Sequence, residues 1–592
     1  MRILFLTHSF NSLTQRLYVE IIRQGHDVSI EFDINDDVAV EAVRLYRPDL
    51  IVAPYLRRAI PAAIWQHHVC LVVHPGIVGD RGPSVLDWAI LNGKAEWGVT
   101  VLQANAEMDA GPVWASVNFP MRPARKSSLY RNEVTEAAVT AVLQAIGRFE
   151  AGGFVPPPAD EIRSHVNGKW QPLMTQSDRR IDWQADDTRT VLQKIHAADG
   201  FPGVEDEIFG MACHLYDACA DDRLRGAPGE IVARRHGAIC RATRDGAVWI
   251  GHVKQIVPGE KSFKLPASLV LRDKLGGVPE APLPLDVGPE RQTYRDIGYR
   301  EKRGVGYLHF DFYNGAMNAD QCRRLREAYL EIRQRPTRVI VLMGGPDFWS
   351  NGIHLNSIEA ADSAADESWR NINAMDDLAQ AIITTDSQLT IAALRGNTAA
   401  GGVFLALAAD RLYARAGVVL NPHYKNMGNL YGSEYWTYLL PRRAGMARGR
   451  EIMSNRLPLG AAEAKQAGLI DDCFDGNADE FMARIESEAE ALARDPDFTT
   501  LIDAKCKQRA ADESAKPLET YRAEELEHMK LNFYGFDPSY HVARYNFVFK
   551  VPHSWTPLHL ARHRQRIRNT GRSDAPALTA LSEARTPAPA AG

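Results

Sequence analysis

The stretch His74–Ser116, HPGIVGDRGPSVLDWAILNGKAEWGVTVLQANAEMDAGPVWAS, decides how the first part of the chain is understood. His74 ends an apolar run, the Gly-rich loop GDRGPS (79–84) follows it, and Asp109 stands 35 residues after the histidine, before Ala-Gly-Pro. A histidine and an aspartate that converge on one point can move a proton between a nucleophile and a leaving amine. Taken singly, each is better explained as a structural histidine or a turn aspartate.

Short strands alternate with helices in the residues that lead to this stretch. RILFLTH, HDVSIEF, DLIVAPYL and HVCLVVH are apolar or β-branched, and the segments between them have helical periodicity with Asn or Asp at the start and Gly or Pro at the end. This alternation predicts a parallel sheet. Because sites in such sheets lie beyond the carboxyl ends of the strands, a site is expected at His74.

The rest of the chain changes pattern several times. Short strands with Gly-rich turns predict a small antiparallel barrel, a Pro-rich stretch predicts a linker, and strand–helix alternation then returns. The predicted fold class is therefore a multidomain α/β protein. The expected units are a catalytic domain (1–155), an OB-like barrel (165–275), a Pro-rich linker (276–295), a second α/β domain (296–475), a helical extension (476–568) and a disordered tail (569–592).

Composition is that of a soluble globular protein, with 592 residues, 45% hydrophobic, 24% charged and a net charge of −5. This charge does not predict nucleic acid or a membrane as partner, and no apolar run approaches the ~18 residues of a membrane span. Seven widely spaced cysteines favour a reducing cytoplasm over a disulfide framework. Cys213, His214 and Cys219 lie close together without a second pair at metal spacing, so no metal site is expected.

The residues around His74 and Asp109, with RGPSVLDWAI, GVT and MDAGPV in that order, resemble the folate-dependent formyltransferases. The resemblance covers 1–150 and continues through RRIDW, FPG and PGEIV (179–232) into a C-terminal barrel. It implies 10-formyl-tetrahydrofolate as formyl donor, bound near Gly82, with His74 and Asp109 as catalytic residues. The family's third catalytic residue, an Asn that polarises the formyl oxygen, is absent, because Val72 stands at its position.

A second pattern lies in the third region. FWSNGIHLNSIE (348–359) and AALRGNTAAGGVFLALAADRLYAR (392–415) each carry a Gly-flanked turn, and two such turns can direct two backbone N–H groups at one oxygen. Together with LGAAEAKQAGLID (459–471) they resemble the crotonase (enoyl-CoA hydratase/isomerase) superfamily over about 300–475. The resemblance implies a CoA thioester as substrate and the amides of Asn351 and Gly401 as an oxyanion hole.

The two hydratase carboxylates are missing from this second pattern. Phe404 stands at the first position, and the second falls at or beside His423, so hydration of an enoyl-CoA is not expected. Tyr424 and Glu434 remain nearby and could shuttle a proton in an apolar pocket. The alternative is that Tyr424 only packs and Glu434 only caps a helix. A carboxylate where the superfamily usually has Gly favours the functional interpretation.

The fusion of the two families resembles the HypX/HoxX family of NiFe-hydrogenase maturation factors. That resemblance implies transfer of the formyl group to coenzyme A, cleavage of formyl-CoA to carbon monoxide and CoA by Tyr424 and Glu434, and hydrogenase maturation proteins as partners. CoA carries several phosphate charges, so arginines are expected along its path. Arg131 is the first candidate and Arg16 a weaker one; either could instead be a solvated surface residue.

Two other functions remain open from the sequence. One is a formyltransferase that acts on an amine and carries an inactive crotonase module. The other is a non-catalytic scaffold for hydrogenase maturation. Val72 and the absence of a basic charge balance argue against the first, and the intact His74, Asp109 and Gly turns argue against the second.

Overall fold

A computed structural model describes residues 1–162 and 168–565 of the chain. The first module is a six-stranded sheet in the order β2-β1-β3-β4-β5-β6. Its strands are β1 Arg2–Thr7, β2 Asp27–Phe32, β3 Leu50–Ala53, β4 Cys70–His74, β5 Glu96–Gln103 and β6 Val113–Pro120. Its helices are α1 Ser12–Arg23, α2 Asp36–Tyr46, α3 Ala62–Trp65, α4 Val85–Leu91, α5 Lys126–Leu129 and α6 Thr135–Ala151.

The parallel sheet predicted from the alternation is present in β1 to β4. The strands β5 and β6 are antiparallel and lie at one edge, as is common in sheets of this size. Helices α1 and α6 bury one face of the sheet, and α2 and α3 bury the other. This packing leaves the carboxyl end of β4, with His74, at the rim of the sheet.

The second module, here called the barrel after the unit predicted for these residues, is an antiparallel sheet in the strand order β7-β8-β11-β10-β9, with β12 paired to β11. Its elements are α7 Gln176–Arg179, α8 Thr188–Ala198, β7 Val204–Ile208, β8 Met211–Asp221, β9 Ile231–Arg235, β10 Ala238–Ala242, β11 Ala247–Gln255, β12 Leu265–Pro266 and α9 Ala267–Val270. The predicted linker runs along this barrel, where the Ala281 N–H donates to Arg234 O and the Asp222 N–H to Gln292 O.

The third module has a six-stranded sheet in the order β13-β14-β16-β19-β21-β24, parallel except for β13, and a smaller sheet β17-β20-β22-β23. Its strands are β13 Ile297–Lys302, β14 Val305–Phe310, β15 Ala316–Met317, β16 Val339–Leu342, β17 Phe348–Ser350, β18 Gly352–Ile353, β19 Leu389–Leu394, β20 Asn397–Ala399, β21 Arg411–Arg415, β22 Val419–Asn421, β23 Leu459–Gly460 and β24 Asp472–Phe474. Its helices are α10 Ala319–Ile332, α11 Leu355–Glu359, α12 Ala364–Ile383, α13 Gly401–Leu407, α14 Trp436–Ala444, α15 Met446–Ser454 and α16 Ala461–Gln466.

Four further helices follow: α17 Ala478–Ala493, α18 Phe498–Ala515, α19 Leu518–Tyr534 and α20 Ser539–Val548. Helices α17 and α18 bury apolar side chains against one face of the large sheet. Helix α19 packs with α12 on the other face, where Met529 and Phe533 are buried. The predicted disordered tail, 569–592, lies outside the described residues.

Residues 551–565, here called the C-terminal strap, return to the first module. The Ile30 N–H of edge strand β2 donates to Leu560 O at 3.0 Å, and the Phe32 N–H donates to Thr556 Oγ1 at 2.9 Å. Between them the buried Glu31 contacts His563 Nε2 at 2.9 Å and Arg564 Nε at 2.8 Å. The strap therefore covers the open edge of the first sheet.

Polar contacts also join the first and third modules directly. Asp347, in the loop after β16, accepts hydrogen bonds from Ser128 Oγ at 2.6 Å and Asn132 Nδ2 at 3.0 Å. Arg16 donates to Gly417 O at 2.7 Å. Within the described part of the chain, no helix is both long and apolar enough to cross a membrane.

Candidate active sites

His74 and Asp109 meet at the rim of the first sheet. His74 Nδ1 lies 3.4 Å from Asp109 Oδ1, and the Gly82 N–H donates to Asp109 Oδ2 at 3.4 Å. The backbone of Asp109 has φ +57°, in the left-handed region that residues other than glycine seldom adopt. Burial raises the pKa of Asp109, but the hydrogen bond and charge of His74 outweigh it, and the pKa ends below its usual value. The pair can thus orient the His74 ring and leave Nε2 for chemistry.

The Gly-rich loop has a role that the sequence did not indicate. Gly82 has φ +116°, and a Cβ there would lie 2.1 Å from Gln171 O. Gln171 belongs to a segment that pairs with this loop. The Arg81 N–H donates to Lys169 O, and the Gln171 N–H donates to Arg81 O at 2.8 Å. Because Gly82 has no side chain, the segment that contains Gln171 can pack directly against this loop.

Val72 lies on the same face of β4 as His74, because side chains two apart on a strand point the same way. It packs with the apolar cluster around Leu4 and Ile51. In the described residues, His74 Nε2 is buried and has no hydrogen-bond partner. Strand β4 thus places no side-chain amide next to His74.

Tyr424 and Glu434 meet in the second site. The Tyr424 hydroxyl is hydrogen-bonded to Glu434 Oε2, and both side chains are buried. Phe404, at the first hydratase position, stacks on the Tyr424 ring with centroids 5.2 Å apart. Burial and, less strongly, the charge of Asp376 raise the pKa of Glu434 to about 8. Burial and the Glu434 charge raise the pKa of Tyr424 well above its usual value. The apolar ring of Phe404 thus stands at the first hydratase position and shields the Tyr424–Glu434 pair from solvent.

The hydrogen bonds of Tyr424 indicate where the protons lie. Its hydroxyl has one hydrogen and faces two acceptors, Ser433 O at 3.0 Å and Glu434 Oε2. A carbonyl oxygen can only accept, so both contacts are satisfied when Tyr424 donates to Ser433 O and a protonated Glu434 donates to the hydroxyl oxygen. The raised pKa of Glu434 agrees with this arrangement.

Two buried carboxylates hold the Glu434 turn. Glu434 and Tyr435 have φ of +61° and +60°, which is uncommon for residues other than glycine. Asp376 of α12 accepts the Glu434 N–H at 2.8 Å, and Glu525 of α19 accepts the Tyr435 N–H at 2.9 Å and the Thr437 N–H at 2.8 Å. Sequence analysis missed both acids, which lie 58 and 91 residues from Glu434.

The oxyanion hole predicted at the amides of Asn351 and Gly401 stays a prediction. A Cβ on Gly401 would lie 2.2 Å from Glu434 Oε1, so the glycine leaves room for that carboxyl group. The Asn351 N–H donates to Gly315 O at 2.6 Å, and its side chain donates to Asn314 O. A thioester oxygen would therefore have to compete with Gly315 O for the Asn351 amide hydrogen.

His423, at or beside the second hydratase position, is buried. Its neighbours are His559 of the C-terminal strap and Arg456, and neither ring nitrogen has a hydrogen-bond partner among the described residues. Burial, with the charge of His559 next in order, lowers the pKa of His423 to about 4. A neutral, unpaired ring on this side does not supply the missing acid.

Arg131 lies between the first and third modules. It donates to Asn314 Oδ1 at 3.0 Å and lies 4.7 Å from the ring centre of Phe348, next to the 348–352 turn. Lys264 shares this interior region; burial lowers the pKa of Lys264 to about 8, and the charge of Arg131 contributes. Arg16 is committed to Gly417 O, Glu20 and Glu136 and therefore joins modules.

No group of three or more potential metal-binding side chains occurs in residues 1–162 and 168–565. The candidate zinc residues have separate environments, since Cys213 is buried in the barrel core and His214 pairs with Glu205.

Comparison with known proteins separates the same modules. The Formyl transferase family matches residues 24–146, its C-terminal domain matches 173–264, and the Enoyl-CoA hydratase/isomerase family matches 300–539. Methionyl-tRNA formyltransferase from Roseiflexus sp. is 30% identical over 36% of this chain and 60% of its own length.

Two relatives span nearly the whole chain. The hydrogenase maturation factor HoxX from Bradyrhizobium diazoefficiens is 56% identical over 96% of this chain and 98% of its own length. The crystal structure of HypX from Aquifex aeolicus in complex with tetrahydrofolic acid has a TM-score of 0.92 at 50% identity, covering 95% of this chain and 99% of that one. The chain, with its formyltransferase and crotonase-like modules, therefore belongs to the HypX/HoxX family of hydrogenase maturation factors.

Proposed function

We propose that this protein makes carbon monoxide for hydrogenase maturation in two steps. The first module transfers the formyl group of 10-formyl-tetrahydrofolate to the thiol of CoA, and the third module splits formyl-CoA into carbon monoxide and CoA. The observation that carries the proposal is the buried Tyr424–Glu434 pair under Phe404, which offers proton transfer without the hydratase acids. The tetrahydrofolate in the related HypX crystal structure supports folate as the donor.

In the first step, His74 transfers the thiol proton and Asp109 supports the His74 ring. His74 Nε2 takes this proton while sulfur bonds to the formyl carbon, and it delivers the proton to N10 as the carbon–nitrogen bond breaks. Asp109, which contacts Nδ1, holds the ring orientation and balances the transient charge of the imidazolium. The products are tetrahydrofolate and formyl-CoA.

In the second step, Glu434 and Tyr424 act as base and acid. The Glu434 carboxylate takes the formyl hydrogen as a proton, the electrons of that bond remain with carbon as carbon monoxide leaves, and the carbon–sulfur electrons pass to sulfur. Tyr424 donates its proton to the sulfur, and Glu434 returns a proton to Tyr424 through their hydrogen bond. Formyl-CoA has no α-carbon, so no enolate forms.

The cations between the modules support CoA as the carrier. Arg131, Lys264 and Lys550 lie in one electrostatic neighbourhood, because the charges of Arg131 and Lys550 both lower the pKa of Lys264. Burial also lowers the pKa of Lys550. Arg131 and Lys264 are partly exposed, and Arg131 has Asp347 Oδ2 at 3.5 Å as its acidic neighbour. Accessible cations of this kind can bind phosphate groups. Arg131 beside the 348–352 turn would then hold CoA near the second site.

The test is CO release, trapped by reduced haemoglobin, from purified protein given 10-formyl-tetrahydrofolate and CoA. We expect CO only with both substrates. Asp109→Asn should abolish it without formyl-CoA, whereas Tyr424→Phe and Glu434→Gln should abolish it and let formyl-CoA accumulate. Tyr307→Phe is a matched control, since that buried hydroxyl has no partner among the described residues. Formyl transfer to an added amine instead, or no transfer at all, would favour the amine formyltransferase or the scaffold.

A further inference from the structure

At the position of the family's asparagine, Val72 gives the first site no side-chain donor for the formyl oxygen. When a thiol attacks the formyl carbon, negative charge builds up on that oxygen, and a preorganised hydrogen bond stabilises it. Val72 packs into an apolar cluster and offers no such hydrogen. A second polar group next to His74 is therefore needed for efficient transfer.

Asp80 is the polar side chain next to His74 that the mechanism above does not use. It lies in the loop between β4 and α4 and is 2% exposed. Its Oδ1 accepts the Lys169 N–H at 3.2 Å, whereas its Oδ2 is buried and has no hydrogen-bond partner among the described residues. A buried, unpaired carboxyl oxygen is costly and requires an explanation.

Gly76 shows how close the two side chains are. A Cβ on Gly76 would lie 2.4 Å from His74 Nε2 and 3.3 Å from Asp80 Cβ. The glycine thus leaves free the space that both side chains border. His74 Nε2 and Asp80 Oδ2 are the unpaired polar atoms of this corner among the described residues.

Burial, rather than the charges around it, favours the neutral form of Asp80. It faces His74, Asp109 and Lys169, while the nearby Arg81 is paired with Glu107 at 2.8 Å. Burial raises the pKa of Asp80 to about 6; the Lys169 N–H and the His74 charge oppose this, and the Asp109 charge adds to it. A ligand that excludes the remaining water would favour the protonated acid further.

We propose that Asp80 is a catalytic residue of the first site, which donates a hydrogen bond from its carboxylic O–H to the formyl oxygen in place of the missing asparagine. This inference rests on the formyl transfer proposed above. The Asp80 proton stays on Asp80, so the balance of that step is unchanged: the carbon–sulfur bond forms, the carbon–N10 bond breaks, and the thiol proton travels through His74.

Three variants test the donor role through the rate of tetrahydrofolate formation with CoA. Asp80→Leu should lower this rate about 100- to 1,000-fold, the usual effect of removing one oxyanion donor. Asp80→Asn keeps a donor and should stay within about tenfold of the parent protein. Val72→Asn added to Asp80→Leu should restore at least tenfold. Glu107→Gln, which removes a charge nearby without touching His74, is the control.

A second readout needs no turnover and is independent of the acceptor. Calorimetric binding of 10-formyl-tetrahydrofolate at pH 7 in two buffers of different ionisation enthalpy should show uptake of about one proton in the parent protein, and none in Asp80→Asn. Uptake in the parent and a dead reaction with CoA would leave this inference standing and remove the proposed function. Equal uptake in both proteins, full activity of Asp80→Leu, or loss of activity in Asp80→Asn would overturn the inference.

Discussion

At the scale of single residues, the protonation state of one carboxyl group in the second site, that of Glu434, depends on its surroundings. Glu434 is accommodated because Gly401 leaves room for its carboxyl group and Asp376 accepts its backbone N–H. Phe404 covers the pair with an apolar ring. The removal of water makes the protonated acid the resting form, and the pH of the medium then decides how many molecules have a base ready.

The first prediction concerns this pH dependence. The pKa of Glu434 is raised to about 8, so only a minority of molecules carry the carboxylate at pH 7. CO release from supplied formyl-CoA should therefore increase with pH and level off above about 8. Glu434→Gln should remove the reaction at every pH. A rate that is independent of pH between 6 and 9 would contradict Glu434 as the base.

The second prediction concerns Gly401. In Gly401→Ala the new Cβ would lie 2.2 Å from Glu434 Oε1, so the carboxyl group must move. We expect CO release to fall at least 100-fold while formyl transfer in the first module is unchanged, as measured with separate assays for the two steps. Gly147→Ala in α6, which has nothing within 4 Å, should change neither rate.

At the scale of elements, helix α19 belongs to the second site as much as the crotonase-like core does. The buried Glu525 on α19 accepts two backbone N–H groups and the Thr437 hydroxyl, and thereby fixes the turn next to Glu434. Buried backbone donors that lose their partner cost about 1–3 kcal/mol each. Helix α19 thus holds the turn that carries the proposed base, Glu434.

The third prediction follows from these bonds. Glu525→Ala should lower the free energy of unfolding by about 2–5 kcal/mol, measured by urea denaturation, because the two N–H groups lose their acceptor. CO release should be lost, and formyl transfer should persist wherever the chain is folded. Glu527→Gln, two residues away on the same helix and exposed, should behave as the parent protein.

How much the sequence could predict differs between these elements. The helices and strands follow from local periodicity. Tyr424 and Glu434 could be named as candidates because both lie in one loop, but the sequence did not show that they meet in space. The hydrogen bond of the Asn351 amide to Gly315 was not foreseen, because it depends on a turn 36 residues away. Asp376, Glu525 and the Gln171 segment were missed for the same reason: the contacts that give them a role join parts of the chain that no local pattern relates.

At the scale of the whole molecule, the strap fastens the first module to the last residues described. Burial raises the pKa of Glu31, but the hydrogen bonds from His563 and Thr556 and the charge of Arg564 outweigh it, so the pKa ends below its usual value. The strap is therefore stabilised at all pH values above about 4.5, and this contribution is lost as the pH falls through the lowered pKa.

The fourth prediction tests the strap. Glu31→Gln removes the charge that faces His563 and Arg564, so amide hydrogen exchange in residues 552–565 should become at least tenfold faster at pH 7. Exchange in the barrel should not change. Glu41→Gln, which removes only the partly exposed partner of Arg564, should have a much smaller effect. Unchanged exchange in Glu31→Gln would show that apolar contacts alone hold the strap.

The strap also fixes an order of events during synthesis of the chain. Edge strand β2 and Glu31 leave the ribosome more than 500 residues before Thr556 and His563. At about 5–20 residues per second, the edge stands open for roughly half a minute or longer. An unpaired edge invites other chains to add to it. We therefore expect neighbouring nascent chains to be able to pair at this edge until the strap covers it.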